Sequence, residues 1–372
     1  MKYFNRLIFC IILIMTQTGC ELELPLEDMT IILLLGVDLD EENNLRIFAS
    51  SPVFSEDAKK KIEVVDVKAE TIQSGRNLFD TRTSGEVTGS KIEVLLLSKR
   101  VLEHEDWFPL LDTFYRHPQF SNNTRVMMVD GSLSAVFNYE PEDKPDLPLH
   151  LKTLIDQNEK RGLTVKTTLR ELHRQISDKG VTPSLSYIKS SGERQMNGTA
   201  LLNKKGMYID SLDPMETSLL LILQKELGRE VTFAAISNPN KPNDSIFHKD
   251  KMSFIVAKAK TKIHTSYDQG TFKFDIKIKM PIALTERLFP FNFEKDLRGL
   301  EKIIEKEMEK QFKGIIKKFQ TNKIDPIGLG LYARAFQYDQ YKKVEDHWGE
   351  AFAASKVKLS VQIDIAMRGA IK

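Results

Sequence analysis

The sequence predicts a mixed α+β protein, with an N-terminal α/β region and a C-terminal antiparallel sheet that carries a long helix. Three observations carry that prediction. Short apolar runs alternate with helical repeats through the first half; strict period-two alternation marks residues 272–280 and 357–367; and between those lies an apolar stripe of helical period.

In chain order, residues 30–37 form a nearly continuous apolar run and residues 45–50 follow it, so two strands are expected with a polar turn between them. Asp38 and Asp40 have the opening spacing of a calcium loop, but Asn43 and Ala49 stand where such a loop needs Gly and Glu, and a turn is the better reading. Residues 62–70 read as a strand, the segment through Leu78 and Phe79 as a helix, and residues 92–97 as a buried strand. Trp107, Leu110, Leu111 and Phe114 fall at i, i+3, i+4 and i+7, one face of a helix, before a strand at 125–129. Pro141, Pro145 and Pro148 among acidic residues mark a loop, followed by helical patterns to about Gln175.

Around residues 184–198 the chain turns polar, which places a domain boundary there: 20–192 as one unit, possessing two subdomains if it divides again, and 193–372 as the other. Asn197 and Gly198 open a short strand pair, and a helix from 215 to 227 is capped by Asp213 with Pro214 in its first turn. Phe272, Phe274, Ile276, Ile278 and Met280 alternate with polar residues, as do Val357, Leu359, Val361, Ile363, Ile365 and Met367; residues 255–263 are a weaker copy. Leu297, Leu300, Ile304, Met308, Phe312, Ile315 and Phe319 line one long helix, whose charges around Glu301 to Lys318 read as a solvated face.

The N-terminus is a processing signal. Residues 7–15 are uncharged and apolar, preceded by Lys2 and Arg6, and nine residues cannot cross about 30 Å of hydrocarbon. A basic start, a short apolar run and a small-residue end describe a signal peptide, residues 1–19. Thr18-Gly19-Cys20 has the ending of a bacterial lipobox, which makes Cys20 the lipidation site, as an N-palmitoyl, S-diacylglycerol cysteine. The cysteine count agrees: of two Cys, Cys10 lies in the leader, so a mature chain keeps only Cys20 and forms no internal disulfide. Two acyl chains hold a protein on a membrane where one barely does.

Fifty-four basic residues against 52 acidic predict no nucleic-acid partner. No metal, cofactor or catalytic constellation is expected. Gly328, Gly330 and Ala333 satisfy G-x-G-x-x-A, but that fingerprint requires a preceding strand and the long helix precedes it here. His104-Glu105-Asp106 and Glu345-Asp346-His347 are the tight acid–His clusters, and both read as solvated helix faces.

Several stretches resemble one family. "IILLLGVD" from Ile31 to Asp38, "GSKIEVLLLSKRVLE", "LLDTFYRHP" and "MNGTALLNKKGMYIDSLDPMET" are similar to the C subunits of Ger-type nutrient receptors of bacterial spores, the Ger(x)C lipoproteins. The C-terminal stretch carries Asp325, Gly328, Gly330, Arg334, Trp348 and Gly369 in the family's order and spacing; Gln17, Glu21 and His117 depart from its usual residues. The resemblance implies a non-enzymatic, three-domain, lipid-anchored subunit on the outer face of the inner spore membrane. It also implies two polytopic partners, an A subunit and a transporter-like B subunit, that together sense nutrients and trigger germination, and it makes the glycine pair fold residues. The alternative is a lipoprotein that itself binds a small solute and delivers it to a transporter.

Overall fold

A computed structural model describes residues 28–54, 58–83, 85–139, 145–191, 195–238, 248–289 and 293–367, together with Tyr3. The leader, Cys20, Gly192 and Gly369 lie outside the described residues.

The first apolar run is divided between two sheets. β1 (Met29–Ile31) leaves for a small pairing, and β2 (Leu34–Leu39) enters a large sheet, where β3 (Leu45–Pro52) and β4 (Ile62–Lys68) fold back antiparallel beside it. The turn between β2 and β3 is closed by Asp40, whose carboxylate accepts the Glu42 and Asn44 N–H groups at 3.0 and 2.8 Å; it is a turn, as read. Lys68 lies 2.6 Å from the same carboxylate and, with those N–H groups, holds it far below the usual carboxylate range. α1 (Ile72–Asp80) begins in a capping box between Thr71 and Ser74, and β5 (Glu86–Thr88) then pairs in parallel with β1.

β6 (Val94–Ser98) lies parallel to β2, and α2 (Lys99–Leu102) follows it directly. The expected helix through Trp107 and Phe114 is instead a 3₁₀ turn, Phe108–Leu111, running into α3 (Asp112–Arg116). Pro109 lies in its first turn, and Trp107, Leu111 and Phe114 are still the buried residues. β7 (Arg125–Asp130) joins β6 in parallel; α4 (Leu133–Phe137), α5 (Leu147–Lys160) and α6 (Leu169–Ser177) lead to β8 (Ser184–Lys189), parallel to β7. β9 (Met196–Leu202) and β10 (Tyr208–Leu212) complete the sheet antiparallel, in the order β10-β9-β8-β7-β6-β2-β3-β4. The sheet therefore takes in residues on both sides of position 192. Its centre reads as continuous apolar runs because both faces are covered, Leu95 and Leu97 in one core and Val94 and Leu96 in the other.

α7 (Pro214–Gln224) starts in a capping box of Asp213 with Glu216 and ends at Lys225, whose φ of 66° is left-handed. β11 (Val231–Ser237), β12 (Lys251–Val256), β13 (Lys260–Asp268) and β14 (Thr271–Arg287) build a second, antiparallel sheet, in which β12 and β13 pair successive halves of β14. The weaker strand copy at 255–263 is thus two strands. α8 (Phe293–Thr321) is interrupted at Asp296, whose carboxylate accepts the Gly299 N–H at 3.1 Å and restarts the helix. After α9 (Leu329–Phe336), α10 (Tyr338–Lys342) and α11 (Trp348–Ala353), the closing strand β15 (Lys356–Met367) departs from the antiparallel expectation: it runs parallel to β14, because the helices carry the chain back to the end from which β14 started.

β15 lies at the sheet's edge, and α8 covers that edge with carboxylates. Glu309, Glu305 and Glu301 accept the backbone N–H groups of Val361, Ile363 and Ile365 at 3.2, 3.0 and 3.1 Å. Four helical residues rise about 6 Å and two strand residues about 6.6 Å, so the two repeats run in step. The expectation of a solvated face for Glu301 is corrected here: its side chain is only 7% exposed.

Candidate functional site: the joint between the two sheets

Gly328, Gly330 and Trp348 of the resemblance set converge on one buried carboxylate, that of Asp325. α8 ends at Thr321, and the chain turns through Asp325 and Pro326 to reach Gly328, whose φ of 81° suits glycine. Asp325 is fully buried; one carboxylate oxygen accepts the Gly328 N–H at 2.9 Å, and the other accepts the Gly330 N–H and the Trp348 Nε1–H, both at 2.8 Å. Burial pushes the Asp325 carboxyl up to about 6, against the pull of these donors. A carboxylate of the chain itself therefore occupies the start of α9, where a dinucleotide phosphate would have to sit.

Gly330 serves by close approach rather than by positive φ. A Cβ there would lie 2.6 Å from both the Cα and the carbonyl oxygen of Gly180. That contact belongs to the joint: Gly180 follows α6 of the large sheet, and the Thr182 N–H donates to the Asp325 carbonyl at 3.0 Å. Arg334 makes two parallel hydrogen bonds to Asp178, at 3.1 and 3.0 Å. Lys179 reaches Glu345 and Asp346 at 2.8 and 2.7 Å, so two members of the Glu345-Asp346-His347 cluster are tied across the joint rather than merely solvated. These carboxylates hold Lys179 well above the usual ammonium range. Trp348 packs edge-on to Phe272, ring centroids 5.3 Å apart, and against Tyr341 at 5.4 Å, which ties the Asp325 turn to the core of the second sheet.

Further bonds extend the joint. Lys204 donates its ammonium to the carbonyls of Gln175, Ile176 and Asp178 at the end of α6. Lys318 of α8 donates to the Ser211 carbonyl at 2.7 Å and lies 3.3 Å from Glu216, and Gln224 donates to the Pro326 carbonyl at 2.8 Å. Sequence reasoning missed Asp178, Lys179, Gly180 and Lys204, since their partners lie far along the chain.

The carboxyl ends of the parallel strands, where α/β proteins commonly bind ligands, are also occupied from within. Asp38 accepts the Leu39 N–H at 2.8 Å, and Lys99 lies 3.4 Å from Asp130 and 4.9 Å from the Tyr208 ring centre. The parallel order β8-β7-β6-β2 does not reverse, so it opens no switch-point crevice. Among the described residues no cluster of three or more His, Cys, Asp or Glu could hold a metal ion, and no helix is long and apolar enough to cross a membrane. His104-Glu105-Asp106 lies elsewhere, with Glu105 paired to Lys205.

Comparison with known proteins covers nearly the whole chain. Residues 23–190 match the family described as "Spore germination protein N-terminal domain", and residues 197–369 the family described as "Spore germination B3/ GerAC like, C-terminal". The chain is 21% identical over 378 aligned residues to spore germination protein GerQC of Bacillus cereus, covering 98% of this chain and 99% of that one. It is 24% identical to spore germination protein B3 of Bacillus subtilis (strain 168), covering 77% and 75%. Its fold is similar to the crystal structure of the GerBC protein, with a TM-score of 0.57, 18% identity, and coverage of 89% of this chain and 96% of that one.

Proposed function

Because this chain belongs to the Ger(x)C family of spore germination proteins, we propose that it is the lipid-anchored extracytoplasmic C subunit of a nutrient germinant receptor. In that reading Cys20 carries the N-palmitoyl and S-diacylglycerol groups, and the protein stands on the outer face of the inner spore membrane. It acts with a polytopic A subunit and a transporter-like B subunit to trigger germination, and it performs no catalysis. The observation that supports this most is the pair of family matches running from residue 23 to residue 369, beginning just after the lipobox. The joint adds to this: the Asp325 carboxylate, Arg334 and Lys179 all take their partners from within the chain, as expected of an assembly subunit whose surfaces carry the function.

The test is an affinity pull-down of a tagged chain from detergent-solubilised spore inner membrane, with the co-purifying proteins identified by mass. Recovery of A-type and B-type subunits is expected; recovery alone, under conditions that keep other membrane complexes intact, sinks the assembly role. The anchor is tested apart from the partners. A Cys20→Ala chain made without A and B subunits should leave washed membranes, and its retention there would count against lipidation.

A second reading, direct binding of a small solute, is favoured by one feature. A cleft of about 260 Å³ beside β3 and β4 is lined by Ser50, Lys59, Phe137, Asp146 and Leu147, and the Ser50 Oγ is buried without a hydrogen-bond partner. A nutrient at 100 times its dissociation constant would stabilise the folded chain by about 2.7 kcal/mol, which a melting experiment resolves. No shift with any nutrient leaves the assembly reading alone.

A further inference from the structure

The outer face of the second sheet is a field of lysines. Side chains alternate along β13, β14 and β15, so every second residue points away from the core that Phe272, Phe274, Ile276 and Ile278 enter. The register sets Lys260 opposite Lys279, Lys262 opposite Lys277, and Lys273 opposite Lys356. Like charges directly opposite one another destabilise a sheet, and three such pairs occur on one face. Lys358 is the seventh lysine there; Asp268, Asp275 and Asp364 are the carboxylates, so seven positive charges less three negative leave +4. The whole chain carries +2, and the remainder is therefore net negative.

Structure alone does not account for this pattern. Asp364 lies 2.9 Å from Lys279, Asp275 lies 3.7 Å from Lys277, and Lys273 pairs with Asp268; Lys260, Lys262, Lys356 and Lys358 make no salt bridge among the described residues. Lysines on an edge strand discourage pairing with other chains, which would explain β15. It does not explain Lys277 and Lys279, which are 67% and 52% exposed on a strand with a neighbour on either side. Solubility is served by interspersed signs rather than by opposed lysines.

We propose that this face lies against the surface of an anionic phospholipid bilayer. Two properties select a lipid surface over a protein. The face holds neither Arg nor Phe, Tyr or Trp, whereas protein interfaces are enriched in those and depleted of Lys. It is also a sheet surface whose cations are long and flexible, which suits a plane of phosphate head groups that requires no fixed geometry. The proposal extends the lipid-anchored reading: a tether at Cys20 would hold the chain near a bilayer, and this face would orient it there.

The experiment uses the chain from residue 20 onward with Cys20→Ser, so that no acyl group contributes and the two readings can fail separately. Sedimentation with vesicles of phosphatidylcholine alone is compared with 70:30 phosphatidylcholine:phosphatidylglycerol. Binding to the anionic vesicles only, abolished at high salt, is expected. Lys262→Glu/Lys277→Glu should weaken partitioning by about thirtyfold or more, since each surface lysine contributes about 1 kcal/mol. Lys310→Glu/Arg116→Glu, with the same net charge and side chains 79% and 80% exposed elsewhere, should bind as the parent does. Equal loss in both double variants, or no preference for anionic vesicles, overturns the proposal. So does a lysine-face variant that binds vesicles normally but no longer recovers its protein partners, because the face would then be a protein interface.

Discussion

Asp325 shows how a single side chain carries the joint. Its carboxyl is raised from 3.8 to about 6, so its protonated form is favoured by folding. Its contribution to stability is then fully present below about pH 4 and is lost as pH rises through 6, a span of about 3 kcal/mol. Urea denaturation from pH 4 to 7 should show that slope in the parent and a flatter one in Asp325→Asn; identical slopes would contradict the assignment. Gly330→Ala places a methyl into the Gly180 backbone and should cost about 1–3 kcal/mol, because main chain cannot swing aside as a long side chain can. Both residues were legible in the sequence as a spaced set. Their tasks were not: of the glycine pair Gly328 has the positive φ, while Gly330 answers to Gly180, 150 positions away.

Among elements, the pairing of α8 with β15 has the clearest energetic meaning. An uncovered edge strand offers its N–H groups to other chains, and the three glutamates remove that offer. Glu305→Leu should leave the Ile363 N–H without its acceptor, costing about 1–3 kcal/mol and speeding hydrogen exchange in β15. Glu305→Gln retains an acceptor oxygen and should be much milder; equal effects of the two would argue against the bond. A sequence signal was present, since like charges at i and i+4 weaken a helix, and Glu301, Glu305 and Glu309 repeat that fault. Reading it required knowing that a strand 52 to 64 residues onward returns along the same helix. Likewise, the interruption at Asp296 and the 3₁₀ turn before Phe114 changed the elements while leaving the buried positions intact.

At the scale of the molecule, the joint decides whether the two sheets behave as one body. Arg334 and Asp178 are partly exposed, so a double-mutant cycle on that pair should return a coupling of about 1 kcal/mol or less. The consequence lies in cooperativity. Removing Asp325 and Arg334 together should split a single calorimetric transition into two, since the hydrogen bonds and packing around the Asp325 turn link α6 and the large sheet to Trp348 and the second; one undivided transition would place the coupling elsewhere.

Local patterns in the sequence determined the mixed α+β class, the period-two strands, the long helix, the helix caps at Asp213 and, through quoted motifs, the family. These follow from side chains read against backbone periodicity, which needs no partner. Only the tertiary structure decided that β15 runs parallel, that the glutamates of α8 cap it, that Arg334 and Lys179 close a joint, and that the lysines of three strands form one face. Each depends on residues distant in sequence meeting in space, and the periodicity of one segment carries no information about its neighbour.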